Sequence, residues 1–244
     1  MHDELDRVIA AAHDALDEGR HADARAMLEA AIARTEGRDE VRAEALGLAA
    51  IAARAEGLER DARSLSDRAI ALASQSPELL ADLLEDRAEL ELATRAPSSA
   101  TSFLERAIAL RGSSGSETWL ALGEARLRAG DLDGADEALT HAEAGARDED
   151  DDAGIALAIE LRADVALARP DASAALAEYA RAIEVWRGLD DEAAVVRCLV
   201  GRARAAELAD DVDAVAQILR ELEAVAGDVE GRDEALDEVR ALVP

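Results

Sequence analysis

Residues 119–142 read WLALGEARLRAGDLDGADEALTHA, and the spacing of a few residues in that stretch decides how the rest is read. Trp119, Leu122 and Gly123 are followed by Gly130, Ala135, Leu139 and Ala142. Gly123 and Ala135 are small where two helices would cross, which lets their axes approach to about 8–10 Å. Gly130 is placed to end the first helix in the left-handed conformation that glycine adopts without a Cβ clash. Leu139 and Trp119 are the bulky residues expected to fill the space that the small ones leave.

The small residue early in the second helix serves as a ruler, and it recurs at Ala24, Ala62, Ala100, Ala135, Ala175 and, less clearly, Ala214. The period is thirty-five to forty residues. A second alanine follows each of the first five by seven residues, at Ala31, Ala69, Ala107, Ala142 and Ala182. Two turns of helix put both alanines on one face. An apolar residue comes next in four cases, as Ile32, Ile70, Ile108 and Ile183. A turn glycine stands five residues before the ruler as Gly19, Gly57 and Gly130, replaced by Arg95 and Pro170 elsewhere.

These residues resemble the tetratricopeptide repeat, whose pattern runs W-x2-L-G-x2-Y, then A-x3-F, then A, over about 34 residues. The resemblance implies an all-α, right-handed α-solenoid of about six antiparallel helix pairs with a C-terminal capping helix. One domain over 1–244 is expected, with repeats at approximately 5–38, 43–76, 81–114, 116–149, 156–189 and 194–227, and a capping helix at 230–243, in the closing DEALDEVRALVP of 233–244. A cap is expected because the last repeat has an apolar face and no neighbour. Departures from the pattern are Arg126 for an aromatic, Arg147 for proline and Arg162 for leucine. In the sixth repeat Gly201 fits the small position, but Ala214 then requires a turn one residue longer. The GSSGS run at 112–116 reads as a connector with Ser116 as N-cap and Glu117 in the first turn, and RDEDDD at 147–152 as a solvated acidic loop.

Composition narrows the function. Four aromatics and an abundance of alanine and leucine suit helices and leave no alternating strand pattern. The formal net charge is -28, and every basic side chain apart from histidine is arginine. A genome rich in G and C, adaptation to high salt, and a basic partner each account for that balance. So acidic a chain, with no local basic stripe, is expected to bind no nucleic acid. The first nineteen residues lack the basic start and apolar core of a secretion signal, and no apolar run reaches the roughly 20 residues that span a bilayer, so a cytoplasmic address and no membrane association are expected. Cys198 lies among Val195, Val196, Leu199 and Val200 and reads as a small core residue.

Candidate chemistry is sparse. DLDGADE at 131–137 lacks the ligand spacing of a calcium loop. His2, His13, His21 and His141 are scattered, without an HExxH or Cys–His cluster. The chain contains no lysine for a phosphate loop or a Schiff base, and its serines lack a neighbouring base. No catalytic residue, no cofactor and no metal ligand is assigned, and no enzyme activity is expected.

The tetratricopeptide resemblance implies that the first helices line a concave groove for a partner protein or peptide. Carried over repeat by repeat, the groove residues are Ile9, His13 and Leu16; Ile51 and Arg54; Glu85, Glu89 and Leu92; Leu120, Glu124 and Leu127; and Glu160, Asp164 and Leu167. Neither lysine nor asparagine is present for the clamp with which some members grip a terminal carboxylate. Like charge at Glu85, Glu89, Glu124, Glu160 and Asp164 points to a basic segment, although a chain with 55 acidic residues places carboxylates on every face. The expected function is a scaffold or adaptor for another protein. The alternatives are self-assembly through the last helix (Leu236, Val239, Leu242, Val243) and a regulatory or sensor part of a larger bacterial system.

Overall fold

A computed structural model describes residues 2–112, 115–225, 229 and 231–243, and everything regular among them is helical. The helices are α1 (His2–Asp17), α2 (His21–Arg34), α3 (Asp39–Ala55), α4 (Glu59–Leu72), α5 (Pro77–Ala93), α6 (Pro97–Arg111), α7 (Ser116–Ala129), α8 (Leu132–Asp148), α9 (Asp152–Ala168), α10 (Ala172–Gly188), α11 (Glu192–Leu208), α12 (Val212–Glu223) and α13 (Arg232–Ala241). Two compact units divide the chain, 1–114 and 115–244, with the division inside the GSSGS run.

The first unit holds three antiparallel pairs, α1/α2, α3/α4 and α5/α6. In each pair a buried alanine of the first helix stands twelve residues before the ruler alanine of the second: Ala12 and Ala24, Ala50 and Ala62, Ala88 and Ala100. Methyl-sized contacts at that crossing let the larger Leu28, Leu65 and Leu104 fill the flanks. The turns between paired helices share one hydrogen bond, in which the N–H of Arg20, Leu58 and Ala96 reaches back to the carbonyls of Ala15, Ala53 and Glu91 at 2.7, 2.9 and 2.8 Å. A left-handed residue precedes each, Gly19 and Gly57 with φ of 73° and 76° and Arg95 with φ of 59°. The three turns recur every thirty-eight residues.

The second unit holds α7/α8, α9/α10, α11/α12 and α13, and its rhythm is different. Asp131, Asp151, Asp171, Asp191 and Asp211 stand at intervals of twenty and mark every turn from α7 to α12. Each aspartate closes one helix and opens the next. Its N–H donates to the carbonyl five residues back, on Arg126, Ala146, Ala166, Trp186 and Ala206, at 2.8–3.1 Å. Its carboxylate accepts from the N–H three residues on, at Gly134, Gly154, Ala174, Ala194 and Ala214, at 2.9–3.1 Å. The first bond satisfies a stranded helix carbonyl and the second a stranded helix N–H. In the first unit, Arg20, Leu58 and Ala96 occupy the equivalent position and make no side-chain cap. Asp171→Ala is expected to cost about 1 kcal/mol, and Asp171→Asn much less, since asparagine caps nearly as well. Urea melts followed by tryptophan fluorescence read the difference, because Trp119 and Trp186 both lie in this unit.

Three expectations are corrected here. The sixth pair needs no longer turn: counted from Asp211, the ruler position is Val215 and its partner is Ala203, both buried and again twelve apart, while Ala214 is half-buried one residue short of it. Gly201 lies instead against the Tyr179 ring, where a Cβ would come within 2.3 Å of Cζ. Ser116 is the first residue of α7 and not its N-cap; its N–H and Oγ–H both donate to the Glu149 carboxylate, at 3.2 and 2.7 Å, so the cap is supplied across the helix pair. The RDEDDD run is therefore more than a solvated loop. Arg147 and Asp148 end α8, Glu149 caps α7, Asp150 takes the left-handed turn position at φ of 55°, and Asp151 caps α9.

Leucine and alanine from consecutive helices form the interior of each unit, and Cys198 is fully buried in the second, where burial pushes its thiol up. Leu236 and Val239 of α13 are buried against α11 and α12, with Leu242 and Val243 packed beside them. The apolar face on which self-assembly would rest is turned into this unit. Trp119 is half-buried and stacks on His141 with ring centroids 4.5 Å apart.

Candidate functional site

The predicted groove residues fall into both units and meet different fates. In the first, Ile9 is buried in the core, Leu16 and Ile51 pack half-buried against it, Leu92 is half-buried, and His13 is exposed. Arg54 donates to Glu89 at 2.9 Å, and Glu85 accepts from Arg111 at 3.0 Å. Asp86, which the sequence did not single out, sits between those pairs; burial and the neighbouring Glu89 raise its carboxyl to about 6. In the second unit Leu120 is buried, Leu127 packs beside it, Leu167 is half-buried, and Glu124 pairs with Arg128 at 2.6 Å. Glu85, Glu89 and Glu124 thus have arginine partners within the chain.

Glu160 and Asp164 of α9 are brought together at an open cavity of about 580 Å³ that residues of α9, α10, α11 and α13 line within the second unit. That volume lies within the range of about 300–1,000 Å³ usual for ligand sites. Tyr179 reaches the cavity because Gly201 has no side chain to obstruct its ring. The ring lies flush on α11, and its hydroxyl donates to Asp164 Oδ1. Burial raises the Asp164 carboxyl above the usual aspartate range; the Tyr179 bond opposes that shift and the Glu160 charge adds to it.

Arg197 and Arg204 of α11 supply positive charge along the wall. Arg197 and the Trp186 indole N–H both donate to Glu160 Oε2, at 2.9 and 3.1 Å, so this buried carboxylate is fully engaged. Arg204 Nε donates to Glu238 Oε1 at 2.7 Å. Glu234, one turn earlier on α13, has no ion pair among the described residues. Four carboxylates and two guanidiniums leave the lining formally negative. Arg162, unusual for its position in the repeat, serves elsewhere: with Arg147 and Arg181 it surrounds the buried Glu143, at 3.0 Å from Arg162 and 3.1 Å from Arg181. Burial pushes the Glu143 carboxyl up, yet the three arginines hold it below the usual glutamate range. That cluster ties α8, α9 and α10 together.

Of the lining residues, Glu160 and Asp164 stand at groove positions that the repeat pattern predicts, and the others do not. Arg197 and Arg204 enter through α11, which the twenty-residue recurrence of aspartate places after Asp191, whereas Glu234 and Glu238 enter through α13, beyond the last aspartate of that series.

No protein-family model and no curated protein matches the chain. Solved structures do. BtubC from P. vanneervenii superposes with a TM-score of 0.64 at 19% identity, over 92% of this chain and 94% of that one. PilF of Pseudomonas aeruginosa gives 0.66 at 18%, over 98% and 97%. The TPR-like repeats of a putative kinesin light chain from Podosopora anserina give 0.66 at 17%, over 76% and 96%. This is a tetratricopeptide-like helical-repeat fold. Identity this low carries the fold and leaves the tetratricopeptide-like chain's function to its own residues. Among its described residues no helix is long and apolar enough to cross a membrane.

Proposed function

We propose that this chain is a protein-interaction module that holds a segment of another polypeptide and performs no chemistry on it. The observation that carries the reading is the cavity of the second unit, formed by the first helices α9 and α11 together with α13 and lined by two carboxylates that the repeat pattern had assigned to a groove. Alternation of first and second helices in a repeat array leaves the first helices to present side chains along one face, and such concave surfaces suit an extended or helical segment. Negative lining favours a basic segment. Attraction of that kind is screened over about 8 Å at physiological salt, so it speeds encounter and weakens as salt is added.

Immobilised full-length protein incubated with native lysate should retain a defined polypeptide at low salt and release most of it in 0.5 M NaCl, as identified by mass spectrometry. Retention of nothing above a resin control contradicts the reading. Retention that is indifferent to salt keeps a protein partner and moves its contacts to apolar residues such as Leu92 and Leu127.

A further inference from the structure

Resting on the reading of this chain as a protein-interaction module, we propose that the cavity of the second unit takes one basic side chain, arginine or lysine, of the bound polypeptide, with its charge held by Asp164, Glu234 and Glu238. The division of hydrogen bonds around the cavity supports this choice. Glu160 is saturated by Arg197 and Trp186. Asp164 accepts from Tyr179 through Oδ1, which leaves Oδ2 without a donor among the described residues. Glu238 accepts from Arg204 through Oε1 and likewise keeps Oε2. Glu234 keeps both oxygens. Three carboxylates from two helices, α9 and α13, thus face one space with acceptor capacity unspent, and a guanidinium or ammonium group supplies the donors that fit it.

The walls select for a long stem. Val196, Val200 and Ala235 line the cavity beside the Tyr179 ring, so an alkyl chain is covered by apolar atoms while its charged end meets the carboxylates. An acidic side chain would be repelled by the excess carboxylates, and a short neutral one would leave the acceptors unmet. Rigidity favours binding too. Gly201 seats the Tyr179 ring, the ring orients Asp164, and the Glu160–Arg197 pair pins α9 to α11, so little ordering is left to the moment of binding.

The test uses the ¹⁵N-labelled full-length chain titrated with acetyl-Ala-Ala-Arg-Ala-Ala-amide, its lysine and citrulline counterparts, and spermidine. Expected are saturable shifts of the Val196, Gly201 and Ala235 amides and of the Trp186 indole N–H with the arginine and lysine peptides. Affinity should be about tenfold weaker for the neutral citrulline peptide, and about tenfold weaker for the arginine peptide with an Asp164→Asn/Glu234→Gln variant of unchanged helical content. If that variant fails to fold, Glu234→Gln alone, at an exposed position, gives the same comparison. Equal affinity for the arginine and citrulline peptides, or binding unchanged by the variant, overturns the proposal. So does spermidine binding where the peptides do not, which would assign the cavity to a small polyamine. A lysate partner retained equally by wild type and variant overturns the cavity assignment and leaves the interaction module standing, whereas no retained partner removes the module itself.

Discussion

Leu139→Ala lowers the stability of the second unit by about 2–5 kcal/mol, toward the upper end of that range. Leu139 is wholly excluded from solvent, and the wall opposite is Gly123, where a Cβ would lie 2.5 Å from Leu139 Cδ2. Ala135 and Ala142, in the same cluster, are also small and have no atoms that could reach into the void. A cavity that cannot collapse gives the larger penalties in such series. The same geometry makes Gly123 and Leu139 energetically coupled. Gly123→Ala is destabilising alone, because the methyl collides with a buried leucine that has nowhere to move. In the Leu139→Ala background the same methyl enters the vacated space, and the double variant should be more stable than the sum of the single changes by at least about 0.5 kcal/mol. Chemical denaturation followed by tryptophan fluorescence reports this unit selectively, since both tryptophans belong to it. A loss below about 0.5 kcal/mol for Leu139→Ala would break the register assigned to α7 and α8.

Arg87→Ala costs the first unit about 3 kcal/mol at neutral pH. Arg87 and Glu91 are both buried on α5, joined at 2.8 Å from Nε to Oε1, and Arg87 Nη1 also donates to Asp67 at 2.6 Å and to the Arg63 carbonyl at 3.2 Å. Its guanidinium lies 5.2 Å from the Phe103 ring centre. Removing it leaves the Glu91 carboxylate enclosed with Arg63 as its remaining cation. Breaking a buried pair from one side is costly because the abandoned charge stays buried. The effect carries a pH signature. Burial raises the Glu91 carboxyl, but the hydrogen bonds and charges of Arg63 and Arg87 outweigh it and hold the group below the usual glutamate range. A carboxyl depressed in the folded state stabilises above its unfolded value of about 4.3 and loses that contribution as pH falls through the folded value. The penalty of Arg87→Ala should accordingly be largest near neutral pH and shrink as the solution is made acid, where the stranded carboxyl takes up a proton. Circular dichroism melts across that range measure it, and a penalty independent of pH would mean that lost packing rather than stranded charge is responsible.

Gly123, Gly130, Ala135 and Leu139 carry the helix pair almost alone, because close crossing, a left-handed stop and a buried knob each demand a specific residue size. Periodicity then multiplies that signal, and the five alanines from Ala24 to Ala175 are all fully buried. The sixth register is hidden in the sequence because the small residue Gly201 serves the Tyr179 ring, while a valine fills the ruler position. Side-chain chemistry was legible only in part. Groove positions could be counted along the helices, and the i,i+4 spacing of Glu124 and Arg128 is local, but the partners of Glu85, Glu89 and Glu160 lie twenty-six to thirty-seven residues away in sequence, where no local pattern shows which arginine will reach which carboxylate. The connecting aspartates are visible as part of a charge run at 147–152, as the pairs Asp190–Asp191 and Asp210–Asp211, and singly at Asp131 and Asp171. Their twenty-residue recurrence becomes meaningful once each is seen closing one helix with its N–H and opening the next with its carboxylate.

Whether the second unit binds a polypeptide at its cavity is tested most directly by placing a photo-crosslinking amino acid at Val200, on the cavity wall, and separately at Gln217, an exposed position of α12 outside the cavity. Irradiation in native lysate should give a discrete adduct with a single polypeptide from position 200 and none from position 217. The same adducts from both positions, or none from position 200 at any salt concentration, would contradict the account.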